Sequence, residues 1–140
     1  MMQSKKVYIA ADGFVAFIDR AHRSHVHTSA FFRYFAQEHF QLYSTVVSVN
    51  DAYLSIYNTI SPSLARDFLR ALALSNINIL YPENSDMKTA VKTIESSNSV
   101  DLTFSKALTA VLCNKRSIPQ VVTFEYLPSL FGIQVFYLPI

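Results

Sequence analysis

Asp12, Asp51 and Glu125 stand at comparable places along the chain. Asp12 closes an apolar run, Val7–Ala11, that follows Lys5 and Lys6 and reads as a buried strand. Asp51 sits in the helical pattern after the second strand, and Glu125 closes the fourth. In an open parallel sheet, ligands bind just beyond the carboxyl ends of the strands. If the first strand is central, all three acids converge on one rim of the sheet. Clustered carboxylates repel each other, so such a cluster normally exists to hold a hard divalent cation. Mg²⁺ or Mn²⁺ held there activates a water and stabilises a leaving oxygen in phosphodiester cleavage. Each acid alone also has an ordinary reading. Asp12 suits an N-cap, because the helical pattern Phe14, Phe17, Ile18 follows at once.

The elements that must position these acids follow from periodicity. Five apolar residues in a row, Val7–Ala11, suit a strand covered on both faces. Further strands are expected at Gln41–Thr45, Ile77–Tyr81, Ile118–Phe124 and Ile133–Tyr137. Helices are expected over Phe14–Arg20, Thr28–Glu38, Val46–Ile60, Ser63–Leu74, Asp86–Glu95 and Leu102–Asn114. In the third of these helices, Val46, Val49, Tyr53, Ile56, Tyr57 and Ile60 recur at steps of three and four. Pro62 suits a first-turn position, and Asp101 is the expected cap of the last helix. Ser96-Ser97-Asn98-Ser99 is the clearest loop. The Phe-rich second helix offers either a core stripe or a dimer face. His22 and His25 have metal-like spacing, but no third ligand stands near, so they read as solvated loop residues. Strands alternating with helices predict an α/β fold: a three-layer α/β/α sandwich on a mainly parallel five-stranded sheet.

Composition narrows the class. A chain of 140 residues is most simply one domain, 1–140. Hydrophobic residues make up 51% and charged residues 16%, the balance of a folded protein. A net charge of +2 advertises no nucleic-acid surface by itself. Arg20, Arg23, Arg33, Lys115 and Arg116 could contact phosphates, or form a solvated face. Cys113 is the single cysteine, which excludes an internal disulfide and fits a reducing compartment. No apolar signal region opens the chain, and no segment reaches the roughly 18 residues that cross a bilayer. A cytoplasmic protein without a membrane partner is the expectation. The absence of a glycine-rich phosphate loop weighs against an ordinary nucleotide-binding domain.

In this order, the chain resembles the PIN domain family, the compact nucleases that include the ribonuclease toxins of toxin–antitoxin pairs. Val7-Tyr8-Ile9-Ala10-Ala11-Asp12 is similar to the family's first strand and first acid. Leu42-Tyr43-Ser44-Thr45, six residues before Asp51, resembles the segment bearing the second acid. Asp101-Leu102-Thr103-Phe104-Ser105-Lys106-Ala107-Leu108 resembles the third, and Thr123-Phe124-Glu125 with Gly132 the fourth. The departures are specific. Gly13 stands where Thr or Ser is usual, Asp51 where Glu is usual, and Glu125 where Asp is usual. Lys106 stands where the third acid belongs.

The resemblance therefore implies a degenerate acidic site. Asp12, Asp51, Glu125 and Lys106 together carry a net charge of −2. An ammonium gains roughly 4 kcal/mol per carboxylate at about 4 Å near a surface. Lys106 can thus take a cation's place, pairing with Asp12 or Glu125. Two functions follow from the resemblance. One is an active Mg- or Mn-dependent endoribonuclease with metal ligands Asp12, Asp51 and Glu125. The other, favoured here, is a module that keeps the nuclease fold without its metal and binds RNA or protein. The partners implied are RNA, an antitoxin-like or other protein, and a second copy of the chain.

Overall fold

The computed structural model of the chain describes residues 4–98, 101–125 and 132–138. Five parallel strands form its sheet: β1 (Lys6–Ile9), β2 (Gln41–Thr45), β3 (Asn78–Leu80), β4 (Gln120–Val122) and β5 (Gln134–Val135). Their order is β3-β2-β1-β4-β5, so the first strand is the middle one. It pairs Val7 with Leu42 on one side and with Gln120 on the other. The carboxyl ends of β1, β2 and β4 consequently lie side by side.

Alternation along β1 builds two cores. Val7 and Ile9 enter a cluster on one face with Phe14, Phe31, Phe35, Ile56 and Phe68. Tyr8 points to the other face, among Leu108, Val111, Leu112 and Val121. The first face is covered by α1 (Ala11–Ile18), α2 (His25–Gln37), α3 (Val46–Thr59) and α4 (Pro62–Ala73). The second is covered by α5 (Asn84–Glu95) and α6 (Phe104–Lys115). The run Ala107–Cys113 in α6 is buried on all sides, as its unbroken apolar pattern demands.

Phe31 and Phe35 of α2 pack on Phe136 at 5.2 and 4.7 Å between ring centroids. Such edge contacts add about 0.5–1.5 kcal/mol each beyond burial. Most of the aromatic stripe of α2 is therefore core. Gly13 sits inside α1, where glycine weakens a helix. A Cβ there would come within 3.1 Å of Val122 Cγ1 and 3.2 Å of the Val122 carbonyl oxygen. The glycine lets α1 ride directly on β4, which brings Asp12 to the exit of that strand.

The elements depart from expectation mainly at their ends. The first helix starts at Ala11, inside the apolar run, so Asp12 lies in its first turn and Ala10 is the N-cap. The last helix starts at Phe104, and Thr103 caps it, accepting from the Lys106 amide; Asp101 lies two residues too early. Of the serine-rich loop, Ser96 caps α5 and Ser99 lies outside the described residues. Among the described residues no helix is long and apolar enough to cross a membrane.

Candidate functional site

Asp12 is held by the segment that leaves β4. Thr123 Oγ1 donates to it at 2.9 Å, the Phe124 amide at 2.6 Å and the Glu125 amide at 3.1 Å. A half-buried carboxylate gathering three donors is well satisfied without any cation. Asp51 is presented by α3, whose start is fixed by the Thr45 hydroxyl accepting the Ser48 amide. One of its oxygens, Oδ2, accepts the Ser105 hydroxyl at 2.7 Å, tying α3 to α6. Lys106 follows Ser105 in the first turn of α6. Its Nζ donates to the Asp101 carbonyl at 3.1 Å and lies 3.9 Å from Glu125 Oε2.

All four side chains line one cavity of about 540 Å³. The amine does not run out into water, since the Lys106 side chain is only 20% exposed. Its partner Glu125 is 64% exposed, so this pair adds about 0–1 kcal/mol, well under the value for a shielded pair.

Beneath the cavity lies a set of buried hydroxyls. Tyr8 Oη is 2.6 Å from Ser48 Oγ, 2.9 Å from Thr45 Oγ1 and 3.4 Å from Thr109 Oγ1. Burial pushes the Tyr8 phenol above its ordinary pKa, against the lowering effect of these hydrogen bonds. Ser48 and Thr109 also line the cavity, so its floor is polar but internally bonded.

His22 was expected in a solvated loop, yet it stands in the cavity wall. Its Nδ1 accepts the Ser24 amide at 3.0 Å, so a neutral ring carries its proton on Nε2. His25 is elsewhere engaged, with Nδ1 on the Ala16 carbonyl and Nε2 near Ser29 Oγ. The two histidines do not act together. Lys115 is also engaged, at 3.3 Å from buried Asp86 and 3.6 Å from Glu83, where it pins α6 to α5. Arg20, Arg23, Arg33 and Arg116 are exposed.

No protein-family model and no curated protein sequence matches the chain. A solved structure does. VapC20 of Mycobacterium tuberculosis, a toxin that cleaves the sarcin-ricin loop, aligns with a TM-score of 0.76 at 10% identity, over 85% of this chain and 89% of that one. This is a PIN-like fold. In this PIN-like chain, the sheet order and the cavity at the strand ends put Asp12, Asp51, Lys106 and Glu125 together.

The divalent cation that a PIN-like fold implies meets an unsuitable donor set here. Among the described residues, no three of His, Cys, Asp and Glu stand close enough to hold a metal ion. Asp12 turns Oδ2 to two amides and shares the Thr123 hydroxyl between its oxygens, Asp51 turns one oxygen to Ser105, and an ammonium occupies the space beside Glu125. Mg²⁺ demands near-ideal octahedral oxygens. The residues as placed do not fit it.

Proposed function

We propose that this chain is a PIN-like domain that binds RNA without hydrolysing it through a metal. One contact carries the reading: the Lys106 ammonium, 3.9 Å from Glu125 in the cavity shared with Asp12 and Asp51. A fixed positive charge there removes the electrostatic demand for a cation and opposes its entry. Asp12 then serves as a structural acceptor, clamping the exit of β4 to α1. The choice of RNA rests on the fold likeness to an RNA-cleaving toxin and on Arg20 and Arg23, which flank the cavity residue His22 on an exposed loop. Arginines so placed reach phosphates outside a cavity that is itself acidic.

Calorimetric titration of Mn²⁺, run beside cleavage and binding assays on a labelled RNA, tests this. The expected result is RNA binding in chelator, no heat of metal binding at millimolar Mn²⁺, and no cleavage. Tight Mn²⁺ binding with metal-dependent cleavage that Asp12→Asn abolishes would establish the active nuclease instead.

A further inference from the structure

We propose that the cavity takes the cis-diol of a ribose, with Asp51 as the carboxylate that receives it. The inference rests on the metal-free reading above and says what the cavity binds in a metal's place.

Charge narrows the ligand first. The charged residues lining the cavity are Asp12, Asp51, Glu125 and Lys106, which leave it net negative. A phosphate inside would face three carboxylates. A neutral group rich in hydroxyl donors would not, because ionised carboxylates only accept hydrogen bonds.

The free valences narrow it further. Asp12 already takes three donors, two of them on Oδ2 and the Thr123 hydroxyl shared between its oxygens. Asp51 uses Oδ2 on Ser105, and its Oδ1 has no partner among the described residues. His22 has spent Nδ1 on the Ser24 amide, which leaves an Nε2–H donor in the same wall. Lys106 holds one long contact to Glu125 and one bond to a carbonyl, with a third ammonium hydrogen to spare. With the Glu125 carboxylate, which among the described residues meets only Lys106 and is mostly exposed, the lining offers open acceptors and two open donors, and these match a group that both donates and accepts. Vicinal hydroxyls do both, and a carboxylate is the usual receiver of a ribose 2′-hydroxyl.

Size agrees. A volume of about 540 Å³ holds a sugar and part of a base, and falls within the range of small-ligand sites, roughly 300–1,000 Å³. The exposed Arg20 and Arg23, beside His22 in sequence, offer positive charge to the attached phosphate, which the acidic space would repel.

A ribose diol reaches such a site as a free ribonucleotide or as the 3′ end of an RNA. The probes are adenosine 5′-monophosphate, its 2′-deoxy counterpart, and an adenine hexaribonucleotide with either a free or a phosphorylated 3′ end. Binding is followed by calorimetry in chelator. The expected result is a preference of about tenfold or more for the intact diol, the scale of one hydrogen bond to a charged acceptor. Asp51→Asn should erase that preference while leaving the melting temperature near wild type, since Asp51 is exposed and the amide oxygen of Asn still accepts the Ser105 hydroxyl.

A preference seen only with the hexamer assigns the RNA end; one seen only with the monophosphate assigns a free nucleotide. Equal binding of ribo and deoxy probes, or a preference that survives Asp51→Asn, overturns the inference. Loss of diol preference with metal-free RNA binding intact sinks this inference alone. Failure of the hexamer to bind in any form sinks the RNA-binding reading, and failure of the monophosphate as well sinks both.

Discussion

Thr123 and Asp12 are 111 residues apart in sequence, yet one threonine hydroxyl lies 2.9 Å from both oxygens of the aspartate. With the Phe124 and Glu125 amides, it makes Asp12 the knot between the first helix and the exit of the fourth strand. Asp12→Asn replaces one acceptor oxygen with a donor group that faces donors. Urea unfolding should show a loss of about 1–3 kcal/mol. A metal-site carboxylate kept apart from its neighbours by repulsion predicts the opposite sign, so unchanged or raised stability would contradict the structural role.

Lys106→Asp exchanges the ammonium for a fourth carboxylate in the cavity. Millimolar or tighter Mn²⁺ affinity should appear in calorimetry, accompanied by a rise in melting temperature on adding metal. Affinity that stays unmeasurable would mean that the cavity lacks the geometry of a metal site even with the charge restored.

Tyr8→Phe removes the hydroxyl at the centre of the buried set Thr45, Ser48 and Thr109. Ser48 then loses its 2.6 Å partner below the cavity floor. A loss of about 1–3 kcal/mol by urea unfolding is expected, without a change in far-UV circular dichroism.

Alkaline pH should weaken the fold. Burial pushes the Cys113 thiol from 9.0 up to about 12, and burial raises the Tyr8 phenol in the same sense. Both folded pKa values lie above the unfolded ones, so the native state keeps protons that the unfolded chain gives up. Their stabilisation is whole below about pH 9, where neither unfolded group has ionised. It falls as pH climbs from 9 towards 12. Each group contributes a slope of at most about 1.4 kcal/mol per pH unit. Urea midpoints measured from pH 8 to pH 11 should decline, and Cys113→Ala should make that decline shallower.

Periodicity carried most of the architecture, because Val46, Val49, Tyr53 and Ile56 could only form one apolar stripe on a helix, and Val7–Ile9 only a covered strand. Parallel pairing and a central first strand then placed residues 12, 51, 106 and 125 in one cavity. Contacts made across the chain were hidden. Asp12 has the local signature of a cap, and its actual donors come from beyond β4. Asp101 and Thr103 are both good capping types two residues apart, and only packing of Leu102 inside chooses between them. His22 looked solvated because the loop carrying it is polar; its place in the wall depends on how α1 meets the cavity. The metal trio needed more than proximity, since Ser105 and Thr123, which claim its oxygens, are unremarkable in sequence.

Placing the earliest strand at the centre of the sheet has a consequence for synthesis. On the ribosome, Lys6–Ile9 can pair with Gln41–Thr45 early, but its other edge waits for Gln120–Val122. Until then that edge is open to strands of other nascent chains. A message cut short before codon 120 would yield a product that has all six of the described helices, but an unsealed sheet and an Asp12 with none of its three anchors.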